Sequence, residues 1–379
     1  MTVHAVIAGG GTSGHVLPAL AIAEQLEDRG HHRSTIMFMG AERGIETRLV
    51  PPTGLPHHFF RVDGLQRSWS LSAIRRNLQF VPLLLAARRQ AIRMMRSDRP
   101  RVVVSVGGYA SLPAVLAARR LGIPVVVVTY DRTPGRSSRL TSRFARATAA
   151  AFPETDLPRA EWTGAPVRRS VRQVDRAVHR DEARRHLGVP DDRFLVSVVG
   201  GSLGSMALNE AVIDLVRQSC DDRELAVFHV AGDRFIDRVR AEIGSGNGVL
   251  DGSSALWYRA VGYEENMSDV YAASDMLIGR GGAGTVADVA TTGVPSVLIP
   301  WSSAADDHQT ANVRWLSDRG AASLIREESL PDSLRDEVVR LRADRSALTD
   351  MSARARDLGE PNRRGAIADL VDRVAEASS

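Results

Sequence analysis

The 379-residue sequence predicts an α/β protein of two Rossmann-like, doubly wound domains facing each other across a cleft. Three observations predict it. An apolar strand, a glycine cluster and a helix-like pattern follow one another four times along the chain. The four copies fall in two pairs, one pair in each half. A proline-bearing, charged segment, "FPETDLPRAEWTGAPVRRSVRQVDRAVHRDEARRHLGVPDD" (152–192), separates the pairs. Strands alternating with helices imply parallel βαβ units, and unbroken Val/Ile runs suit strands covered on both faces. The expected division is 1–165 and 166–361. The tail "NRRGAIADLVDRVAEASS" (362–379) reads as an amphipathic helix, with Ile367, Leu370, Val371 and Val374 on one face, that returns to the first domain.

Composition narrows the chemistry. Hydrophobic residues at 44% and charged residues at 25% are usual for a globular protein, and the length suffices for two cores. Cys220 is the single cysteine, so no internal disulfide forms, and a reducing compartment is expected. One thiol and scattered histidines show no structural zinc pattern. All 49 basic residues are arginine, which excludes a P-loop lysine and a Schiff-base lysine. The net charge of +4 favours anionic partners. No apolar run approaches the roughly 18 residues of a spanning helix. "MTVHAVIAGG" carries no basic leader, so the amino terminus is expected to enter the first domain directly.

The first turn lies in "VIAGGGTSGHVLPALAIAEQL" (6–26). Gly9, Gly11 and Gly14 satisfy G-x-G-x-x-G, a pattern that suits a phosphate at a helix start or simply a tight turn. Glu42 stands where a dinucleotide fold keeps its ribose acid. His15, in the first helical turn, is expected to be neutral beside the positive end of the helix dipole, and so able to accept a proton. A histidine merely hydrogen-bonded at a helix start is the other reading. The second turn is "RVVVSVGGYASLPAVLAARRLG" (101–122). The third, "RFLVSVVGGSLGSMALNEAV" (193–212), sets Ser202 among bare amides, either as a phosphate donor or as a helix cap. The fourth, "DMLIGRGGAGTVADVATTGVP" (275–295), places Asp288 to accept a ribose diol or to complement the dipole. "PWSSAADDHQTANV" (300–313) then crowds polar groups into a loop entering a helix, which suits sugar hydroxyls or a solvated helix start.

Taken together, "GGTSGHVLPALAIAEQL", "VGGYASLPAVLAARRLGIPVV", "TGAPVR", "VVGGSLGSMALN", "RGGAGTVADVATTGVPSVLIP" and "DDHQTANV" resemble, in order and spacing, the MurG-type glycosyltransferases over nearly the whole chain. The resemblance implies the glycosyltransferase-B fold, with an acceptor and membrane-side first domain and a UDP-sugar-binding second one. It implies inverting transfer of N-acetylglucosamine from UDP-N-acetylglucosamine to undecaprenyl-pyrophosphoryl-N-acetylmuramyl-pentapeptide (lipid I), giving lipid II for peptidoglycan. No cofactor and no site metal are implied. The expected location is the cytoplasmic membrane face, held peripherally, with other cell-wall synthesis proteins as further partners and no nucleic acid. By position, Thr12, Ser13 and Gly14 would lie near the diphosphate and sugar. Arg168 would offset donor charge, Ser202 would meet a phosphate, and the backbone near Tyr263 and Glu264 would read uracil. Ala283, Gly284, Thr285, Val286, Ala287 and Asp288 would line the nucleoside, and Gln309 would touch the sugar.

The chain departs from the family at several of these places. Val128, Thr129, Tyr130 and Asp131 stand where the family carries His-Glu-Gln-Asn. Asp131 therefore replaces an asparagine that touches the donor sugar, and both His15 and Asp131 are candidates for the base that deprotonates the acceptor. Asp288 stands where glutamate is usual, and Ala165 replaces an asparagine. A related transferase with another acceptor, or a UDP-sugar-binding protein without catalysis, remains an alternative. The stretch "IRRNLQFVPLLLAARRQAIRMMRSDRPR" (74–101) brackets Phe80, Val81, Leu83, Leu84 and Leu85 with arginines. It suits either an anionic membrane surface or a crossover helix packed on the sheet.

Overall fold

Every strand pairing among the described residues is parallel, as the uninterrupted valine and isoleucine runs require. The computed structural model describes residues 3–62, 64, 71–201, 203–244, 255–304 and 307–377, apart from the side chains of 71–79 and 331. In chain order the strands are β1 Ala5–Ala8, β2 Ile36–Ala41, β3 His57–Phe60, β4 Val102–Ser105, β5 Val125–Thr129, β6 Ala147–Ala150 and β7 Ala160–Trp162. They continue as β8 Phe194–Val199, β9 Leu225–Val230, β10 Trp257–Val261, β11 Met276–Arg280, β12 Ser296–Ile299 and β13 Ser323–Leu324.

The chain divides into two compact units, Met1–Arg169 with Pro361–Ser379, and Ser170–Glu360. The first holds a sheet ordered β3-β2-β1-β4-β5-β6-β7, and the second a sheet ordered β10-β9-β8-β11-β12-β13. Each order reverses once, between β1 and β4 and between β8 and β11. Such a reversal leaves a crevice at the carboxyl ends of the strands, where ligands of open α/β sheets bind. All four glycine turns follow these four strands, so each pair of turns flanks one reversal.

In the first unit, Ile7, Val104 and Val126 meet the helix Ser13–Asp28 through Val16, Ile22 and Leu26. The carboxyl-terminal helix Ala366–Glu376 joins the same core, and Ile367, Leu370, Val371 and Val374 are all buried. The long helix Leu71–Asp98 is divided along its length. Ala87, Ala91 and Met95, spaced by one helical turn, pack on the other face of the sheet, whereas Val81 and Leu85 are exposed. No helix among the described residues is long and apolar enough to cross a membrane. In the second unit, Arg184 is fully buried. Its guanidinium is used up by the carbonyls of Pro190, Asp191 and Arg193 and the carboxylate of Asp275, which is why a charge is tolerated there.

Candidate functional site

The first-unit site grows from the end of β1. Gly9–Thr12 turn the chain into the helix Ser13–Asp28, whose N-cap Thr12 caps no amide with its side chain. Thr12 Oγ1 instead lies 3.0 Å from His15 Nδ1, and the two share one hydrogen. The second turn closes over the same ring. Gly108 has φ +74°, and a Cβ there would fall 2.9 Å from the Gly10 carbonyl oxygen, so no side chain fits where the two turns touch. His15 is thereby enclosed by both turns. Burial lowers its pKa, with the Asp131 and Glu46 charges acting in the opposite sense. The neutral ring foreseen from the helix dipole thus has burial as its main cause.

Two residues to which sequence reading gave no role shape this turn. Glu46 is fully buried, and its carboxylate accepts the amides of Gly11, at 2.9 and 3.1 Å, and Ala41, at 2.8 Å. It grips the glycine turn from beneath. A carboxylate thirty-odd residues from the glycines carries no local signal of that role. Tyr130 is the second. Pro18 has no N–H, so the Gly14 carbonyl lacks its ordinary partner four residues on. The Tyr130 hydroxyl donates to that carbonyl at 2.6 Å. Burial first, and then the Asp131 charge, hold the Tyr130 hydroxyl protonated far above neutrality. In the run that departs from the family, Val128 and Thr129 are buried in β5, Tyr130 closes the helix start, and Asp131 supplies negative charge near His15.

A direct consequence is measurable. Tyr130→Phe is expected to cost about 1 kcal/mol of stability, the net worth of one hydrogen bond. Pro18→Ala restores a backbone donor to Gly14, so the double variant should recover most of the loss in melting temperature. Equal losses in Tyr130→Phe with and without Pro18→Ala would show that the carbonyl is not what the hydroxyl serves.

Ser13 and Gly14 occupy the first helical turn beside His15. Arg168 belongs to the first unit, and its Nε donates to Glu24 at 2.8 Å, so much of its charge is already met. Its half-exposed guanidinium keeps one edge toward solvent.

The second-unit site is built on β8 and β11. Ser202 lies outside the described residues. Gly204 has φ +71°, and a Cβ there would sit 2.5 Å from the Ala231 carbonyl oxygen, so the third turn presses directly on the β9 turn. Ser205 caps the helix Met206–Gln218 by accepting from Leu208 N–H at 3.3 Å. Beneath it lies Arg280, the last residue of β11 and largely buried. Its guanidinium donates to Ser205 Oγ and to the Glu327 carboxylate. Glu327 also accepts the Ser302 amide at 2.8 Å and the Ser302 hydroxyl at 2.5 Å. Burial pushes the Glu327 pKa up, but the Ser302 and Arg280 contacts outweigh it and leave the carboxyl below its usual range. One arginine thus ties the third turn to the segments after β12 and β13. An arginine inside the apolar "MLIGRGG" was the available signal.

The fourth turn opens the helix Ala283–Thr292, whose N-cap Gly282 provides no side-chain cap. Ala283 and Thr285 are partly exposed and Gly284 is exposed, whereas Val286 and Ala287 are buried, so those two can offer a ligand only backbone. Asp288 accepts a hydrogen bond from the Tyr271 hydroxyl at 2.9 Å. Burial pushes its pKa up to about 7, against the lowering effect of Tyr271. Gln309 backs the same turn, packing against Gly281, and its Oε1 accepts from the Trp301 amide at 2.9 Å. Glu264 accepts the Asn266 amide at 2.9 Å, beside the exposed Tyr263. The structure therefore gathers Thr12–His15 with Asp131 in one unit, and 283–288 with Gln309 in the other.

Residues 5–150 match the glycosyltransferase family 28 N-terminal domain, and residues 195–369 match the glycosyltransferase family 28 C-terminal domain. The chain is similar to the UDP-N-acetylglucosamine--N-acetylmuramyl-(pentapeptide) pyrophosphoryl-undecaprenol N-acetylglucosamine transferase of Desulforudis audaxviator, with 36% identity over 98% of each chain. It is similar to the transferase of the same name from Clavibacter sepedonicus, with 37% identity over 100% of this chain and 98% of that one. Among solved structures, Acinetobacter baumannii MurG superposes with a TM-score of 0.75 and 30% identity, over 98% of this chain and 100% of that one.

Proposed function

Because this chain belongs to the MurG-type glycosyltransferases of family 28, we propose that its two units divide the reaction, the first meeting acceptor and membrane and the second holding the donor nucleotide. The enzyme transfers N-acetylglucosamine from UDP-N-acetylglucosamine to lipid I and so makes lipid II for the cell wall. The observation that carries the reading is the placement of all four glycine turns beside the two sheet reversals, together with full-length likeness to the named transferases.

His15 acts as the base in this reading. Nδ1–H donates to Thr12, which leaves the Nε2 lone pair to take the acceptor hydroxyl's proton as that oxygen attacks the anomeric carbon. Asp131 stabilises the imidazolium that forms. The bond to UDP breaks on the opposite face, which inverts the centre. Backbone amides at the third and fourth turns meet the growing diphosphate charge. Asp288 receives the ribose diol and Gln309 the sugar. The direct test is transfer of radiolabelled N-acetylglucosamine to a short-chain lipid I analogue with EDTA present. Transfer is expected. Donor binding without transfer would overturn the acceptor assignment and point to another acceptor or a binding role.

Asp288 makes donor affinity depend on pH. A carboxyl with a folded pKa of about 7 is protonated below that value and accepts both diol hydroxyls only above it. Affinity for UDP-N-acetylglucosamine should rise between pH 6 and 8, and Asp288→Asn should bind weakly at all pH with the slope gone. The folded state binds this proton more tightly than the unfolded chain. The free enzyme therefore loses this group's stabilisation as pH rises from the ordinary carboxyl range to about 7.

Docking on the cytoplasmic membrane face follows from the lipid-tethered acceptor. Val81 and Leu85 are exposed near Arg89 and Arg93, and Leu140 is exposed among Arg136, Arg139 and Arg143. Replacing Val81 and Leu85 by glutamate should reduce co-sedimentation with anionic vesicles while leaving UDP-N-acetylglucosamine binding unchanged. Unaltered sedimentation would remove this surface from the docking face. Other cell-wall synthesis proteins are further partners in this reading.

A further inference from the structure

The fold assembles one cluster that the transfer reaction does not use. His4 precedes β1, His31 follows the helix Ser13–Asp28, and Asp372 lies on the carboxyl-terminal helix. Asp372 Oδ1 is 2.8 Å from Nε2 of His4 and 2.8 Å from Nε2 of His31. The two rings stack with centroids 3.7 Å apart and planes 17° from parallel. All three side chains are mostly buried. The other carboxylate oxygen is occupied, because Arg29 Nε donates to Oδ2 at 2.7 Å.

We propose that His4, His31 and Asp372 form a binding site for a divalent transition ion of the zinc class, which staples the returning carboxyl-terminal helix to the first unit. The donor set is two imidazoles and one carboxylate, which suits zinc, cobalt or nickel rather than magnesium or calcium. The three ligand atoms lie within 4.8 Å of one another. Bonds of zinc length need ligand atoms roughly 3.3 Å apart, so each oxygen–nitrogen distance of 2.8 Å must widen by about half an ångström, and the stacked rings must splay to aim both Nε2 lone pairs at the ion. Arg29 fixes the free oxygen of Asp372 and leaves Oδ1 as the ligand, the arrangement by which outer partners orient a metal-binding carboxylate. Hydrogen bonds alone would need both stacked rings to carry a proton on Nε2 and aim two N–H dipoles side by side at one oxygen. An ion replaces both protons with a single shared charge. The Arg29 and Arg101 charges oppose it and hold the affinity below that of a four-ligand structural site.

The test uses untagged, full-length protein stripped with a chelator. Titration with Co²⁺ should give visible absorption that saturates at one ion per chain and is bleached by Zn²⁺. Saturating Zn²⁺ should raise the melting temperature by a few degrees, and Mg²⁺ should not. His31→Ala should abolish the absorption and the shift. Asp372→Asn, which keeps an acceptor for both rings, should weaken binding at least tenfold while retaining the fold. Absence of a saturable cobalt spectrum in the wild type, or its survival in His31→Ala, would overturn the site and leave a hydrogen-bonded clamp.

Discussion

Replacing His15 by alanine should lower kcat for N-acetylglucosamine transfer by about 10²–10⁴-fold, the range for loss of a positioned general base. KM for the donor should change little, because the first-turn amides and the Gly11–Glu46 bonds remain. The pH profile separates His15 from Asp131. Burial lowers the His15 pKa, so the acid limb of kcat, read at saturating donor where Asp288 is already ionised, should lie below the usual imidazole value. The Asp131 charge holds the proton on, so Asp131→Asn should move that limb further down. It should cost far less rate than His15→Ala. A collapse of kcat in Asp131→Asn, with His15→Ala active, would assign the base to the aspartate.

The second large effect concerns Arg280. Arg280→Met should destabilise the second unit by about 3 kcal/mol or more, since removing one partner leaves the Glu327 carboxylate in a mostly buried place without its counter-charge. For a unit of this size that is a fall in melting temperature of roughly 6–12 °C. Donor KM should rise as well, because Ser205 loses the guanidinium that anchors the third turn. Glu327→Gln in the same background should return part of the stability, as the stranded charge is removed. A double variant whose loss equals the sum of the single losses would show that the two residues act independently.

These residues mark the reach of sequence reading. The four turns, their strands and the amphipathic tail were legible because each depends on neighbours within a few positions: glycines where side chains cannot fit, apolar runs, and Ile367, Leu370, Val371 and Val374 at helical spacing. His15 was legible as a neutral group by its place at a helix start, although burial proved the main cause. Arg168 was expected to meet the donor, and its pairing with Glu24 depends on a helix far away in sequence. The long arginine-rich helix allowed two readings. Its course bears out the packed reading at Ala87, Ala91 and Met95 and leaves Val81 and Leu85 exposed, as the membrane reading needs.

By itself the sequence determined the alternation of strand and helix, the glycine turns that admit a phosphate and, by likeness, the reaction. Tertiary structure alone decided which distant groups complete those turns. Glu46 reaches Gly11 across 35 residues, Arg280 reaches Ser205 across 75, and Tyr130 reaches Gly14 across 116. His4 and Asp372 meet across 368. The physical reason is that turn chemistry and hydrophobic period act locally. Partners for a buried carbonyl, amide or charge are set by the order in which strands pair, and that order emerges only when the sheet closes around its core.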